Sequence, residues 1–233
     1  MEYTDKLLHC TCDLVYLRTY TDGYQCIVKL IKQNQERKGQ EYRIMKALYE
    51  AGVRVPKIIS YEEVEVRRGL KSYTEMIVME YIPGETLQDV SIRENLPLHV
   101  RQENPPKEET KKIALQMLDL VEKMHEAGYY HGDLHSANFI WDGTNLTLID
   151  FGRAYSAEFH QNAKEETFQP TYEHAKTLCK EAPHLVYMQD LDCDWDFYNL
   201  YEEQLLTNCI YAFVGGEEDA KSIAELRAVV ERW

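Results

Sequence analysis

The spacing of apolar positions changes along the chain, and each change predicts a different element. Between Leu7 and Ile31 short apolar runs predict strands, one at Leu14-Val15-Tyr16-Leu17 and one over residues 24–31, with Thr21-Asp22-Gly23 as the turn between them. From Gln35 to Ala51 the spacing becomes helical, placing Tyr42, Met45, Leu48 and Tyr49 on one face. Gly52 stops that helix, and Val53-Arg54-Val55-Pro56 leads out in extended form. Residues 57–60 and 63–67 predict strands with Arg68-Gly69 as a turn, and Glu75-Met76-Ile77-Val78-Met79 predicts a buried strand that ends over residues 80–84. A helix is predicted to begin over residues 86–90, and the polar stretch 91–109, with Pro97, Pro105 and Pro106, reads as a linker. Residues 107–128 predict an amphipathic helix whose buried face carries Ile113, Leu115, Met117, Leu118, Leu120, Val121 and Met124. A last short helix is predicted over residues 221–231, and no internal repeat is visible. Strands with one helix among them come first and mostly helices afterwards, which suits an α+β fold.

Behind the long helix comes the densest chemistry. Asn138-Phe139-Ile140-Trp141 and Leu146-Thr147-Leu148-Ile149 are strand-like, and Asp142-Gly143 is a strong turn signal between them. The resulting hairpin brings Asn138 close to Asp150. One carboxylate and one amide oxygen suit Mg2+, which completes its shell with waters and substrate phosphates. Asp133, five residues before Asn138 on a predicted loop, is left free to orient a hydroxyl and accept its proton. Taken singly, each feature reads equally well as structure: a solvated loop Asp, a cap at Asn138, and a turn at Asp150-Phe151-Gly152. The chemistry rests on the ordered set.

Composition narrows the partners. The chain has 233 residues, 44% of them hydrophobic and 28% charged, which is ordinary for one or two globular domains. A formal net charge of -14 argues against nucleic acid and anionic membrane as partners and favours a basic one. The six Cys, at 10, 12, 26, 179, 193 and 209, form no paired C-x-x-C spacing, so no zinc site is expected, and Cys10-Thr11-Cys12 alternates like a strand. The polar start at Met1-Glu2-Tyr3-Thr4-Asp5-Lys6 predicts no leader, and no apolar run predicts a membrane span, so a cytoplasmic setting, or delivery by a route without a classical signal peptide, is expected.

His131-Gly132-Asp133-Leu134-His135, followed by Asn138 and then Asp150-Phe151-Gly152, resembles the catalytic loop and metal-binding motif of the protein-kinase-like superfamily. The resemblance extends over about Leu7 to Leu200. It implies a two-lobed fold, with a mainly β N-lobe over residues 1–82 and a shortened helical C-lobe over 83–233. It implies ATP and Mg2+ as cofactors, with Lys29 on the phosphates and Val15 above them. Met79 would stand at the back of the adenine pocket, and Glu80, Tyr81 and Ile82 would form the hinge. Glu41 is the expected partner of Lys29, with Glu36 a turn and a half earlier as the other choice; a plain edge lysine and a surface Glu are the structural readings of the same positions. Asp196, opening Asp196-Phe197-Tyr198-Asn199-Leu200, resembles the family's residue that holds the catalytic loop, and equally reads as a helix cap.

Departures from the family matter as much. Leu8, Cys10 and Asp13 stand where its phosphate loop carries three glycines, and Asp13 would repel a triphosphate unless it points away or meets Mg2+. No Ala-Pro-Glu anchor follows residue 153. His135 replaces a Lys that would contact the transferring phosphate, so its charge state matters. Gly132 and His135 are similar to the aminoglycoside- and choline-kinase branch, while the glycine-poor loop and residues 51–56 resemble small atypical kinases of the Bud32 and RIO type and small bacterial effector kinases. Three functions follow as expectations. The first is an atypical serine/threonine kinase acting on a protein. The others are a small-molecule hydroxyl kinase and a nucleotide-binding pseudokinase scaffold.

Overall fold

The computed structural model describes residues 2–9, 13–32, 38–93, 108–156 and 223–232. Five antiparallel strands form the N-terminal sheet: β1 (Tyr3–His9), β2 (Leu14–Tyr20), β3 (Gln25–Lys32), β4 (Ile58–Arg68) and β5 (Lys71–Glu80), in the order β1-β2-β3-β5-β4. Helix α1 (Gln40–Glu50) lies between β3 and β4 in sequence. Then come β6 (Glu85–Thr86), α2 (Leu87–Arg93), α3 (Glu108–Glu126), β7 (Tyr129–Tyr130), β8 (Phe139–Trp141), β9 (Leu146–Leu148), β10 (Tyr155–Ser156) and α4 (Ile223–Arg232). The expected α+β order, mainly β and then helical, is what the chain adopts.

Register in the sheet places the chemistry. On β5 the odd positions Tyr73, Glu75, Ile77 and Met79 are buried while Met76 and Val78 are only partly so, because one face of the strand packs against the core. Lys29 pairs with Val15 on one side and Ile77 on the other, which carries its side chain into the interior at 5% exposure. α1 buries Ile44, Met45 and Leu48, each worth roughly 1.5–3 kcal/mol. One continuous core joins these residues to Leu87, Val90, the α3 face, Phe139, Trp141, Leu146, Leu148, Phe151 and, on α4, Leu226 and Val230. Arg227 ties α4 to α3 through Asp119 at 2.8 Å and Glu122 at 2.6 Å. Among the described residues no helix is long and apolar enough to cross a membrane.

Several sequence expectations need correction. The first strand starts at Tyr3, well before Leu7; all seven of its residues are exposed, so it has no apolar face to announce it. Residues 57–60 and 63–67 belong to one strand, β4, interrupted by a register shift between Glu63 and Val66. α1 starts at Gln40, and its buried face contains Ile44, whereas Tyr49 is exposed. Leu115 on α3 is only partly buried. The expected strand at Cys10–Cys12, the helix at Asp196–Leu200 and Glu36 lie outside the described residues.

α3 delivers His125, whose ring stacks on Tyr130 at 4.2 Å and 21° and whose Nε2 is enclosed with no hydrogen-bond partner among the described residues. Burial lowers its pKa to about 4. A folded pKa below the unfolded value means that this group's contribution is present above about pH 6.5 and is lost as pH falls toward 4. The wild type should therefore lose up to about 3 kcal/mol between those limits from this residue. His125→Phe, which preserves the stack, should flatten that part of the curve. Melting curves from pH 7 to 4 that run parallel for the two proteins would contradict it.

Candidate active site

The hairpin β8–β9 forms as its turn demands. Asp142 Oδ1 accepts from Thr144 N at 2.8 Å and Asn145 N at 2.7 Å, and Phe139 pairs with Leu148. Asn138 and Ile149 are joined at its open end, Ile149 N donating to Asn138 O at 2.9 Å. Asp150 follows in a left-handed conformation (φ 64), strained for a non-glycine residue and characteristic of functional turns. The loop before the hairpin is fixed by buried His131, whose Nε2 lies 3.0 Å from the Ile149 carbonyl and whose ring meets Phe151 edge-on at 4.9 Å. Burial lowers the His131 pKa, so the neutral ring donates Nε2–H to that carbonyl. Gly132 (φ 71) has no room for a side chain, since a Cβ there would meet the Arg153 carbonyl oxygen at 2.7 Å.

Lys29 is the hub. Its Nζ lies 2.8 Å from Glu41 Oε1, 2.8 Å from Asp150 Oδ1 and 3.5 Å from Asp13 Oδ2. Glu41, the expected partner, stands at Lys29. Burial would lower the Lys29 pKa, but Glu41, Asp150 and Asp13 outweigh it and hold the amine well above its usual range. The Lys29 charge holds Asp150 well below the usual carboxylate range. Glu41 is the weak acid of the group: burial, with Asp150 and Asp13 nearby, pushes it up to about 7 against the pull of Lys29.

Asp133 is less free than the sequence implied. Arg153 Nη1 approaches Oδ1 at 3.3 Å, and His135 Nε2 lies 3.8 Å from Oδ2. Burial raises this carboxyl, but His135 and Arg153 outweigh it and keep it below its ordinary value, so it is ionised at neutral pH. Arg153 escaped the sequence reading; its one signal was a cation directly after Asp150-Phe151-Gly152.

Asn138 Nδ2 donates to the Asp133 carbonyl at 2.9 Å and lies 3.1 Å from His135 Nε2, so the amide nitrogen is engaged and the amide oxygen is the end left for a ligand. Together with the Asp150 carboxylate this is a hard-oxygen donor pair, the chemistry Mg2+ takes. Among the described residues no cluster of three or more His, Cys, Asp or Glu could hold an ion alone. Phosphates and water would have to supply the remaining ligands.

The other expected contacts lie on the two strands that flank β3 and just past the end of β5. Val15 is partly buried opposite Lys29, and Met79 is buried on β5. Glu80 ends β5 with its N–H donated to Lys57 O at 2.9 Å, and Tyr81 and Ile82 follow outside any regular element, partly buried. At the former glycine positions, Leu8 lies in β1 and Asp13 is turned inward; its Oδ1 accepts from Lys32 N at 2.9 Å.

Residues 17–190 match the family described as lipopolysaccharide kinase (Kdo/WaaP). The chain is 36% identical over 124 residues to the KEOPS complex subunit Bud32 of Pyrococcus abyssi, covering 53% of this chain and 47% of that protein. It is 28% identical over 115 residues to a probable serine/threonine-protein kinase, the Bud32 homologue of Archaeoglobus fulgidus, covering 49% and 44%. With the RIO-type serine/threonine-protein kinase Rio1 of Haloferax volcanii it shares 27% identity over 180 residues, 77% of this chain and 47% of that one. The matched segment thus spans less than half the length of each of these relatives.

Proposed function

The chain belongs to the lipopolysaccharide kinase (Kdo/WaaP) family, an atypical branch of the protein-kinase-like superfamily, and from that premise we propose that it is an ATP- and Mg2+-dependent phosphotransferase whose acceptor is a serine or threonine hydroxyl of a protein. The observation that carries this reading is the buried Lys29 held at 2.8 Å by both Glu41 and Asp150, with the Asp133 loop pinned to the same hairpin.

Each residue then has a task. Lys29 takes the non-reacting phosphates, Val15 and Met79 enclose the base, and the backbone from Glu80 to Ile82 meets it at the boundary we place between the lobes, at residues 82 and 83. Asn138 and Asp150 would hold Mg2+, which supplies charge neutralisation across the phosphates. Asp133 orients the acceptor hydroxyl and takes its proton as the acceptor oxygen bonds to the γ-phosphorus. The bond from that phosphorus to the bridging oxygen breaks, and ADP leaves with the electron pair. Arg153 and His135, beside Asp133, are placed to face the charge that develops on the transferring group.

The protein acceptor is supported by relatives named as serine/threonine-protein kinases, and a macromolecular partner by the relative named as a subunit of a complex. The net charge of -14 favours a basic surface on that partner, and such docking would weaken with salt. A second reading, transfer to a sugar or other small-molecule hydroxyl, is favoured by the matching family's description and by Gly132 and His135. Incubating the protein with γ-labelled ATP and mixed acceptors, basic proteins in one set and free sugars and amino alcohols in the other, separates them. Label in protein supports the first reading, and label only in the small-molecule set replaces it with the second.

Asp13 gives a sharper test of how nucleotide enters. Its carboxylate sits on Lys29 where phosphates would bind, so ATP must displace it or tolerate its charge. Asp13→Asn retains the acceptor for Lys32 N and removes the charge. It should lower the KM for ATP roughly three- to tenfold, as expected for one like charge a few ångströms away in a partly screened site. A KM that stays put or rises would show that Asp13 does not compete with ATP.

A further inference from the structure

Apart from Glu41, Glu75 is the only buried carboxylate among the described residues, at 2% exposure, and the proposed reaction gives it no task. It lies on β5 opposite Ile31, two positions from Ile77, which pairs with Lys29. Its Oε2 accepts from Gly39 N at 2.6 Å and from the Tyr61 hydroxyl at 3.0 Å.

Those partners bracket Glu41. Gly39 caps α1 in a left-handed conformation (φ 69) and has no side chain to satisfy the helix start. Tyr61 stacks on Tyr42 at 4.5 Å and 13°. Glu75 therefore grips the chain before Glu41 directly and after it through Tyr61. Gln40, between them, donates its Nε2 to Ala154 O at 2.9 Å. Four successive residues are thus each tied to a different segment, and only the Glu41 bond reaches Lys29. An α-helix rises about 1.5 Å per residue, so a slip of α1 by one position would break a 2.8 Å contact. A carboxylate suits the anchor, because charge-assisted bonds to N–H are the stronger ones and negative charge is favoured at a helix start.

We propose that Glu75 is a positioning residue for the nucleotide site: its buried carboxylate fixes the first turn of α1 and so holds Glu41 on Lys29. The proposal deepens the phosphotransferase reading and rests on it, yet part of its test needs no nucleotide. Acetylation of Lys29 by acetic anhydride, followed peptide by peptide by mass spectrometry, reads how well α1 covers that amine. In Glu75→Ala, below its melting temperature, Lys29 should label at least about fivefold faster than in the wild type, the effect of roughly 1 kcal/mol of local loosening. Glu75→Gln keeps an oxygen for both donors but loses the charge, and should label between the wild type and Glu75→Ala. Tyr61→Phe, which removes one donor and leaves the stack, should fall between and decides the matter if Glu75→Ala does not fold. Fluorescent ATP-analogue binding adds a second readout. Glu75→Ala should weaken it in the wild-type background and have little further effect in Glu41→Gln, since both changes act through one contact. Unchanged Lys29 labelling in Glu75→Ala and Tyr61→Phe, or additive losses in the double variant, would overturn the assignment. Failure of the wild type to bind the analogue would instead strike the phosphotransferase reading, with the labelling still deciding the role of Glu75.

Discussion

Asp133→Asn should reduce phosphoryl transfer by roughly 10²- to 10⁴-fold, the range for loss of a positioned general base, while MgATP affinity stays close to the wild-type value. The substitution keeps the shape of a side chain that is about two-thirds covered and removes its charge. Arg153 at 3.3 Å then loses its counter-charge, but neither it nor His135 at 3.8 Å leaves the site, so nucleotide contacts survive. A purely structural loop aspartate would show the opposite pattern, with a lower melting temperature and proportionate losses everywhere. Single-turnover transfer beside a nucleotide titration checks it, and an unchanged rate in the variant would remove Asp133 from the base role.

Lys29→Met should be worse on two counts. Activity should fall by at least about 10²-fold, the usual cost of deleting a principal electrostatic group from a closed site. The fold should suffer as well, because Glu41 is left buried without its cation, and breaking such a pair costs about 3–5 kcal/mol when the survivor stays charged. Glu41 has an escape, since its carboxyl is already pushed up to about 7 and rises further without Lys29. A folded pKa above the unfolded value gives stability that is present at low pH and lost as pH rises through it. The melting point of Lys29→Met should therefore lie below that of the wild type at both pH 6 and pH 8.5, since Asp150 loses its cation at either pH, and the gap should be wider at pH 8.5. Lys38→Met, which breaks an exposed pair with Glu63, is the control and should cost within about 1 kcal/mol. Equal losses for the two variants at pH 8.5 would contradict the buried hub.

What the sequence disclosed was local and periodic. The α3 stripe apart from Leu115, the turn at Asp142-Gly143 and the order Asp133, Asn138, Asp150 are all written within short windows, and the helix and the hairpin formed where their patterns placed them. Lys29 could be placed only through its register with the family's strand lysine, because Val28, Lys29 and Leu30 are all buried and no alternation marks its face. Contacts between distant segments left no such trace. Arg153 meets Asp133 only after the loop and the residues following Gly152 fold together, and Asp13 reaches Lys29 only across the β2–β3 pair. Glu75 looks like one more acid in a strand until α1 is set down upon it. β1 was mislocated because its seven residues are exposed on both faces and carry no alternation to detect. Glu36 and Glu41 could not be separated by spacing, because both suit a helix whose first residue was not marked by a polar cap. The helix begins instead at a left-handed glycine.

Phosphoryl transfer from ATP by this chain is the step that every residue role above serves. The measurement is ADP formation and γ-label transfer by the purified wild-type protein, with Mg2+ present and with Mg2+ removed by chelation, across the mixed acceptor panel. The prediction is label on an acceptor hydroxyl matched mole for mole by ADP, abolished by chelation, and a melting temperature raised by MgATP. No transfer to any acceptor, together with a melting temperature that MgATP does not move, would contradict it.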